Sequence, residues 1–530
     1  MKKILTFFKP QDAKLHKYTI ILSIILSLLL VLGHSLNTYY DLREIYGSMG
    51  NAILSIIKLG IFAAIIYFAI ILITNLLQKT RIKQNKEYKF LTANKKSFFL
   101  AWGIIFVAWI PYFLQYFPGI LSPDSIREIM QVVGQMNYTT HHPIIHTLII
   151  KLFIDIGSIF GDIPAGIMLY SIAQMLTMSA IFAFTVYYIS KIKIPNVFRI
   201  FSLVSFAIYP IHAIYAVTMW KDILFGGIIL LISIWMYEFI KNPKFIDSKR
   251  SIIFFIIMSI MLIMLRKNGI FVILFIIPCL LLLRKDKIRK ILLLTLVTFA
   301  LYFALNTSLV TILNAEKGEI REALAVPIQQ MARVVKNEDI SDEQLAQIKK
   351  FIQSDNIAEI YNPILADPIK DCVNSEMVNK NMLEFIILWI TIFFQHPLQC
   401  IEAFLCNSYG YWYPEIDYWI IAGWGAVEQL FGVQPIIHSN IISNIVDFCI
   451  EQNKLPVLFS IGANCWIMLG ALMLCLYKKS YNIVSVFTPV IVVILTSMAS
   501  PVFGEFRYVY GLFTTLIFLL AITYKEFTKK

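Results

Sequence analysis

The chain has 530 residues, 58% of them hydrophobic, 14% aromatic and only 15% charged, with a formal net charge of +13. At a mean hydropathy of +0.72, a soluble protein cannot hide so much apolar surface, so most of the chain must face lipid or other helices. The positive charge sits in short loops between apolar runs, which is the positive-inside pattern of a membrane protein rather than a nucleic-acid surface.

Residues 1–17 carry five lysines and are assigned to the cytoplasm. Their lysine-rich start leads into an apolar run too long for a removed signal peptide and without a small-residue cleavage site, so a first transmembrane helix is expected at about 18–36. A second, at about 51–77, returns to the basic loop Lys79–Lys96, and a third, at about 98–117, delivers Pro118–His142 to the external side. The next apolar run, about 143–160, is long enough to span, but Lys151 and Asp155 lie four apart on one helical face. If it spanned, the basic loop Lys191–Arg199 would lie outside; with 124–136 and 143–160 lying along the outer interface, every later basic loop falls inside.

Spanning helices are then expected at about 164–190, 197–217, 223–240, 251–264, 270–283 and 291–312. Their outer turns carry Trp220, Lys221 and Asp222, then Arg266, Lys267, Asn268 and Gly269, on the side of Asp124. Residues 313–382 form a polar insertion with eight Lys/Arg against twelve Asp/Glu, read as an extracytoplasmic segment of short amphipathic helices over Glu322–Val335 and Ser341–Gln353. Residues 383–412 are apolar but broken at His396-Pro397, giving two short or re-entrant helices. The aromatic stretch Tyr409 to Trp424 has the composition of a membrane-interface belt, with sugar or lipid stacking as the alternative. Three more spans, about 456–477, 482–500 and 508–524, end at a basic C-terminus. Seven cysteines show no CxxC and no metal spacing, and read as small apolar fillers.

The chemistry centres on Phe117–Glu128, continuing to His141-His142-Pro143. Asp124 follows Pro123 at an expected helix start, where a carboxylate caps free backbone N–H groups. At a membrane boundary the same carboxylate can act as a general base on a hydroxyl or amine, or hold a metal. Asp222 also falls at a helix start, with capping or a pair with Lys221 as the plainer readings. His141 and His142 point in different directions and make a poor metal pair alone. Arg507, with Glu505, enters the last helix and suits bidentate phosphate recognition. Arg266 and Lys267 lie on the outer side, against the positive-inside trend, which favours an anionic ligand. No P-loop, GxGxxG, GxSxG or HExxH is present.

Many transmembrane helices, an acid in a large outer loop after an early helix and interfacial helices within that loop resemble the GT-C superfamily of integral membrane glycosyltransferases, and the motifs Pro118-Gly-Ile-Leu-Ser-Pro-Asp-Ser125, His142-Pro143, Trp220-Lys-Asp222, Val326-Pro-Ile-Gln-Gln-Met-Ala-Arg333, Gly410-Tyr-Trp-Tyr-Pro414 and Glu505-Phe-Arg-Tyr508 follow in this order. More closely, they resemble a little-characterised bacterial family of glycosyltransferase-like membrane proteins. The resemblance spans roughly 98–525. It implies an all-α polytopic membrane fold with about 12–14 transmembrane helices, interfacial helices in the first large outer loop and a small extracytoplasmic helical insertion. The expected organisation is two N-terminal helices and a basic loop (1–97), a transmembrane core (98–312) with an outer catalytic loop (118–163), the insertion (313–382) and a C-terminal part (383–530). The helices before residue 98 are extra to a GT-C core, and in place of the paired acidic motif that many superfamily members show in the first loop, Asp124 has Glu128 four residues on.

The resemblance further implies transfer of a sugar from a polyprenyl phosphate or diphosphate to an extracytoplasmic glycolipid, polymer or protein, at a bacterial plasma membrane. In that reading Asp124 is the base and Asp222 orients the substrates. Arg507, Arg266, Lys267 and Lys221 hold the donor phosphate, and His141, His142, Glu128 and Glu505 support them. A divalent cation, Mg or Mn, would fall to Asp124 and Glu128. Two other classes fit the composition: a transporter or flippase of lipid-linked sugar or teichoic-acid units, for which Lys58 is the clearest intramembrane charge, and a non-catalytic scaffold of the cell envelope.

Overall fold

A computed structural model describes residues 9–79, 92–416, 420, 425–450, 456–500 and 502–529. The architecture is all-α; the described residues contain only isolated β-bridges and no strand. The main helices are α1 (Ala13–Tyr39), α2 (Met49–Lys79), α3 (Lys95–Gln115), α4 (Pro123–Val132), α5 (Ile144–Phe160), α6 (Ile163–Lys191), α7 (Asn196–Ile208), α8 (Pro210–Ala216), α9 (Lys221–Lys241) and α10 (Lys249–Leu265). They continue with α11 (Gly269–Leu283), α12 (Ile288–Ile312), α13 (Ala325–Asn337), α14 (Asp342–Phe351), α15 (Met382–Gln395), α16 (Pro397–Cys406), α17 (Asn440–Ile450), α18 (Ile461–Tyr477), α19 (Thr488–Ser497) and α20 (Tyr510–Thr528).

Seven helices among the described residues are long and apolar enough to cross a membrane: α1, α2, α3, α6, α9, and the runs Lys285–Ile312 and Phe506–Thr528 that contain α12 and α20. Two bent pairs raise the count to nine, α7 with α8 at 51° and α15 with α16 at 104°. Gly269–Leu283, Ile461–Tyr477 and Tyr481–Ser497 are shorter apolar helices. The protein is therefore a multi-pass membrane protein. Both bends fall where sequence dictates, at Tyr209-Pro210 and His396-Pro397, because proline removes an N–H and crowds the preceding turn.

Helix starts follow local capping chemistry. Asp12, Asn94, Asp162 and Ser460 each accept a hydrogen bond from a first-turn amide of α1, α3, α6 and α18. The bundle core surrounds α9 and α20, whose apolar windows are each 78% buried against 6% for α2. Small residues permit close crossings there: a Cβ at Gly226 of α9 would come within 2.8 Å of Tyr510. The insertion has its own core of Ile328, Met331, Ile348, Phe351, Ile369 and Phe385, shared with α15. The six cysteines with described side chains are free.

Several expectations are corrected. The described aromatics of the 409–424 stretch are not a membrane belt: Tyr409, Tyr411, Trp412 and Tyr413 are buried inside the protein. Tyr413 packs so closely on Gly33 of α1 and Gly462 of α18 that neither position has room for a Cβ. Trp419 and Trp424 lie outside the described residues, as does most of the Lys79–Lys96 loop. Lys58 is not an isolated intramembrane charge, since it pairs with Glu44. Helix α17, amphipathic and short, falls in a stretch for which no element was expected. In the insertion, the helices expected at Glu322–Val335 and Ser341–Gln353 form as α13 and α14, the second capped by Ser341 as its sequence implies.

Candidate functional site

One cavity of about 880 Å³ collects nearly every residue singled out in the sequence: Asp124, His141, His142, Lys221, Asp222, Arg266, Lys267, Glu505 and Arg507 all line it. Its floor is set by two loops that run side by side. Ile120 N–H donates to the Val217 carbonyl at 2.9 Å and Met219 N–H to the Ile120 carbonyl at 3.0 Å, which fixes the segment leading to Asp124 against the segment leading to Lys221. Gly119, at φ +156°, lies in this crossing, where a Cβ would meet Ser171 Oγ at 2.3 Å.

Asp124 does not cap its helix. Ser122 does so, in a capping box with Ser125 and with Pro123 in the first turn, which leaves the Asp124 carboxylate free for other partners. Its Oδ2 accepts from Lys221 Nζ at 3.1 Å and from Arg507 Nη1 at 2.9 Å, while Oδ1 has no partner among the described residues. Burial would raise this carboxyl, but the charges of Lys221 and then Arg507 outweigh it and hold Asp124 well below the usual carboxylate range.

Arg507 also donates from Nε to Glu505 Oε1 at 3.0 Å and stacks its guanidinium 4.9 Å over the Trp220 ring. Burial is the largest influence on Glu505; Arg507 opposes it, Asp222 and Asp124 reinforce it, and the carboxyl is pushed up to about 7. Tyr411 supports this loop by accepting from Glu505 N–H through its hydroxyl at 3.3 Å. Asp222 is 1% exposed, and its Oδ1 lies 2.6 Å from Arg266 Nη1. Arg266 stacks on Tyr508 at 4.4 Å.

His142 is 5% exposed. Its Nδ1 lies 3.3 Å from Lys221 Nζ. An ammonium only donates, so Nδ1 accepts and Nε2 carries the ring proton. Burial, then Lys221, lowers this imidazole to about 4, consistent with a neutral ring. Among the described residues the buried Nε2 has no partner, and neither does Trp220 Nε1. His141 stands edge-on to His142, with its Nδ1 3.9 Å from Glu322, so the two rings serve different partners as expected.

Glu128 is the departure. It is buried behind the cavity, and both its oxygens lie 2.9 Å from His146 Nδ1. His146 Nε2 lies 2.9 Å from the Tyr170 hydroxyl, and Tyr170 donates to Gln174 Oε1 at 3.0 Å. Gln174 directs its amide N–H groups to the carbonyls of Tyr215, Ala216 and Thr218. This buried chain ties α4, which bears Asp124, to the loop that bears Lys221. A paired-acid motif of Asp124 with Glu128 therefore does not form, and among the described residues no group of three His, Cys, Asp or Glu side chains is arranged to hold a metal ion. His146, Tyr170 and Gln174 were not anticipated; a polar residue in each of two apolar runs was the available signal.

The insertion forms the remaining wall with Lys317, Glu319, Arg321, Glu322 and Lys370. It is attached by backbone bonds, Thr140 N–H to the Glu316 carbonyl and Glu316 N–H to the Tyr138 carbonyl, each at 2.8 Å. Arg127, Lys267 and Lys317 line the cavity with no side-chain hydrogen bond and no ion pair within 4 Å among the described residues, though Glu322 acts on Lys267 at longer range. Arg507, Arg266 and Lys221, by contrast, are each paired with a carboxylate.

A model of a family of unknown function, DUF6020, matches residues 133–530. The chain belongs to this family. The match takes in Lys221, Asp222, Arg266, Lys267, Glu505 and Arg507 and begins after α4, so Asp124 precedes it. No curated protein and no solved structure matches the chain.

Proposed function

We propose that the protein is a glycosyltransferase of the membrane, with a GT-C-like fold, that transfers a sugar from a polyprenyl-phosphate donor to an acceptor on the extracytoplasmic face. The observation that carries this reading is Asp124: a carboxylate with one oxygen engaged by two cations and the other open to a large polar cavity at the ends of apolar helices. A cavity of about 880 Å³ suits a sugar and an acceptor group together, and its cations that form no ion pair, Arg127, Lys267 and Lys317, suit a phosphate.

Asp124 Oδ1 takes the acceptor's proton as the acceptor oxygen attacks the anomeric carbon. The new carbon–oxygen bond forms opposite the breaking bond to the lipid phosphate, which leaves as the anion, and configuration inverts. Ion pairing with Lys221 and Arg507 makes Asp124 a weak base, and a ligand oxygen that draws Lys221 or Arg507 from it raises its basicity. Asp222 acts through Arg266, which it orients and whose charge it balances. Glu505 holds the Arg507 fork. No step is routed through a metal, because Glu128 is occupied by His146.

The test is to supply purified protein in liposomes with a panel of polyprenyl-phosphate-linked hexoses and a bacterial envelope fraction as acceptor. Release of polyprenyl phosphate that is lost in Asp124→Asn, with product of inverted configuration, supports the reading. Movement of the intact lipid-linked sugar across the bilayer without transfer would replace it by a transporter, and an unchanged Asp124→Asn phenotype in cells by a scaffold.

A further inference from the structure

A second cavity of about 430 Å³ adjoins the first and shares His142, Lys267 and Lys317 with it. Its other walls are largely apolar: Ile145 of α5, Ile263 and Met264 of α10, and Tyr302, Asn306 and Val310 of α12. The helix geometry explains why it is open. The buried residues of α12 are Ile291, Leu294 and Thr298, all in its first half, where it packs on α10. The second half stands away from the bundle with Leu301, Phe303 and Leu305 exposed, and leaves a slot between α10, α12 and the start of α5. Since Lys285–Ile312 is a candidate span, this slot opens to lipid.

The junction of the two cavities is where unsatisfied donors meet. Lys267 and Lys317 form no ion pair within 4 Å among the described residues, Glu322 acting on Lys267 only at longer range, and His142 presents a buried N–H with no acceptor among them. A buried donor left unpaired costs free energy that an anion's oxygen recovers. Of the four cations that the resemblance assigns to the phosphate, Arg507, Arg266 and Lys221 are already paired with Asp124, Glu505 and Asp222, and Lys267 is not.

We infer that the slot between α5, α10 and α12 holds the leading part of a single isoprenoid chain, with its phosphate at Lys267, Lys317 and His142 Nε2. The slot ends at positive charge without an ion pair, which is the complement of a hydrocarbon chain terminated by an anion, and its volume of about 430 Å³ has room for the leading part of one such chain. The attached sugar then projects into the main cavity, where His142 is linked through Lys221 to Asp124. This deepens the transferase reading and rests on it for the sugar, while the binding of the chain itself is measurable without any transfer.

The experiment uses the full chain in phosphatidylcholine nanodiscs and measures binding of a C55 polyprenyl monophosphate, of the matching polyprenol and of phosphatidylglycerol. Lys267→Met and Lys317→Met should each weaken the monophosphate about tenfold, the loss of one charged hydrogen bond, and leave the polyprenol unchanged. Val310→Trp, a surface change on a half-exposed turn, should weaken both isoprenoids alike. Monophosphate binding that survives these three changes but falls in Arg507→Met would move the phosphate site and overturn the inference while sparing the transferase. Equal binding of phosphatidylglycerol would make the slot an ordinary lipid site and also overturn it. Sugar transfer that proceeds in protein showing no isoprenoid binding would remove both the slot's role and the proposed donor class.

Discussion

Two clusters of arginine and carboxylate in this molecule differ in one respect that separates structure from function. Around Glu402 of α16 every partner is present. Oε1 accepts from Leu42 N–H at 2.9 Å and from the Tyr46 hydroxyl at 2.7 Å, and Oε2 accepts from Arg333 Nη2 at 2.6 Å. Arg333 completes its own set at the Tyr40 carbonyl and Gln399. The pair is almost wholly buried, at 4% and 1% side-chain exposure, and joins the α1–α2 loop, the insertion and α16. Around Asp124 the polar groups outnumber their partners: one carboxylate oxygen is open, two buried N–H groups are orphaned and three cations are unpaired. A satisfied network rigidifies a junction; an unsatisfied one facing a cavity is preorganised for something that arrives.

The comparison is broken most forcefully by removing a partner from the closed cluster. Glu402→Ala strands Arg333 in a buried site and should cost about 3–5 kcal/mol, seen as loss of monodisperse protein in detergent or a large fall in melting temperature. Asp124→Asn removes the charge that Lys221 and Arg507 share but keeps the shape of a side chain that faces a cavity, so it should lower the melting temperature less than Glu402→Ala and lower transfer about 10²–10⁴-fold. If Asp124→Asn instead unfolds the protein while Glu402→Ala is tolerated, the assignment of the two clusters is reversed.

A smaller effect is expected behind the site. His146→Leu leaves Glu128 buried without its main partner and should cost about 1–3 kcal/mol. It should also reduce turnover by displacing α4 relative to Lys221, although His146 touches no substrate. Unchanged turnover in a folded variant would remove the positioning role of the Glu128–His146–Tyr170–Gln174 chain.

The smallest effect is a pH slope. Glu505 is raised from its ordinary 4.5 to about 7. Between those values the folded state binds more protons there than the unfolded chain, so its contribution to stability declines as pH rises through this window. His142, lowered from 6.5 to about 4, has the opposite sign: its contribution is lost as pH falls through that range. Glu505→Gln should therefore be increasingly favoured over the parent as pH rises from 5 to 8, read as the difference in melting temperature between the two. A constant difference would show that Glu505 does not titrate there.

Much of the site was legible because charge is conspicuous in apolar sequence. Asp124, Lys221, Asp222, Arg266, Lys267 and Arg507 stand at helix ends on what topology made one side, and the fold brings them to one cavity. The membrane character, the proline-broken pairs and the two insertion helices were equally readable, because hydropathy, periodicity and proline act locally. The aromatics of Gly410–Pro414 were expected at the membrane surface, and nothing local showed what the motif ending in Arg333 does. Both serve packing between segments far apart in sequence.

What sequence alone determined, then, is which residues carry charge and where the chain can span: composition and spacing decide those through solvation of each segment by itself. Only the tertiary structure decided which charges neutralise one another. Arg507 lies 383 residues from Asp124, and Glu128, four residues from it, turns to His146 instead. Pairing depends on distances of a few ångströms between side chains on different helices, and no periodicity along one segment encodes them. Which cations remain free for a ligand follows from that pairing.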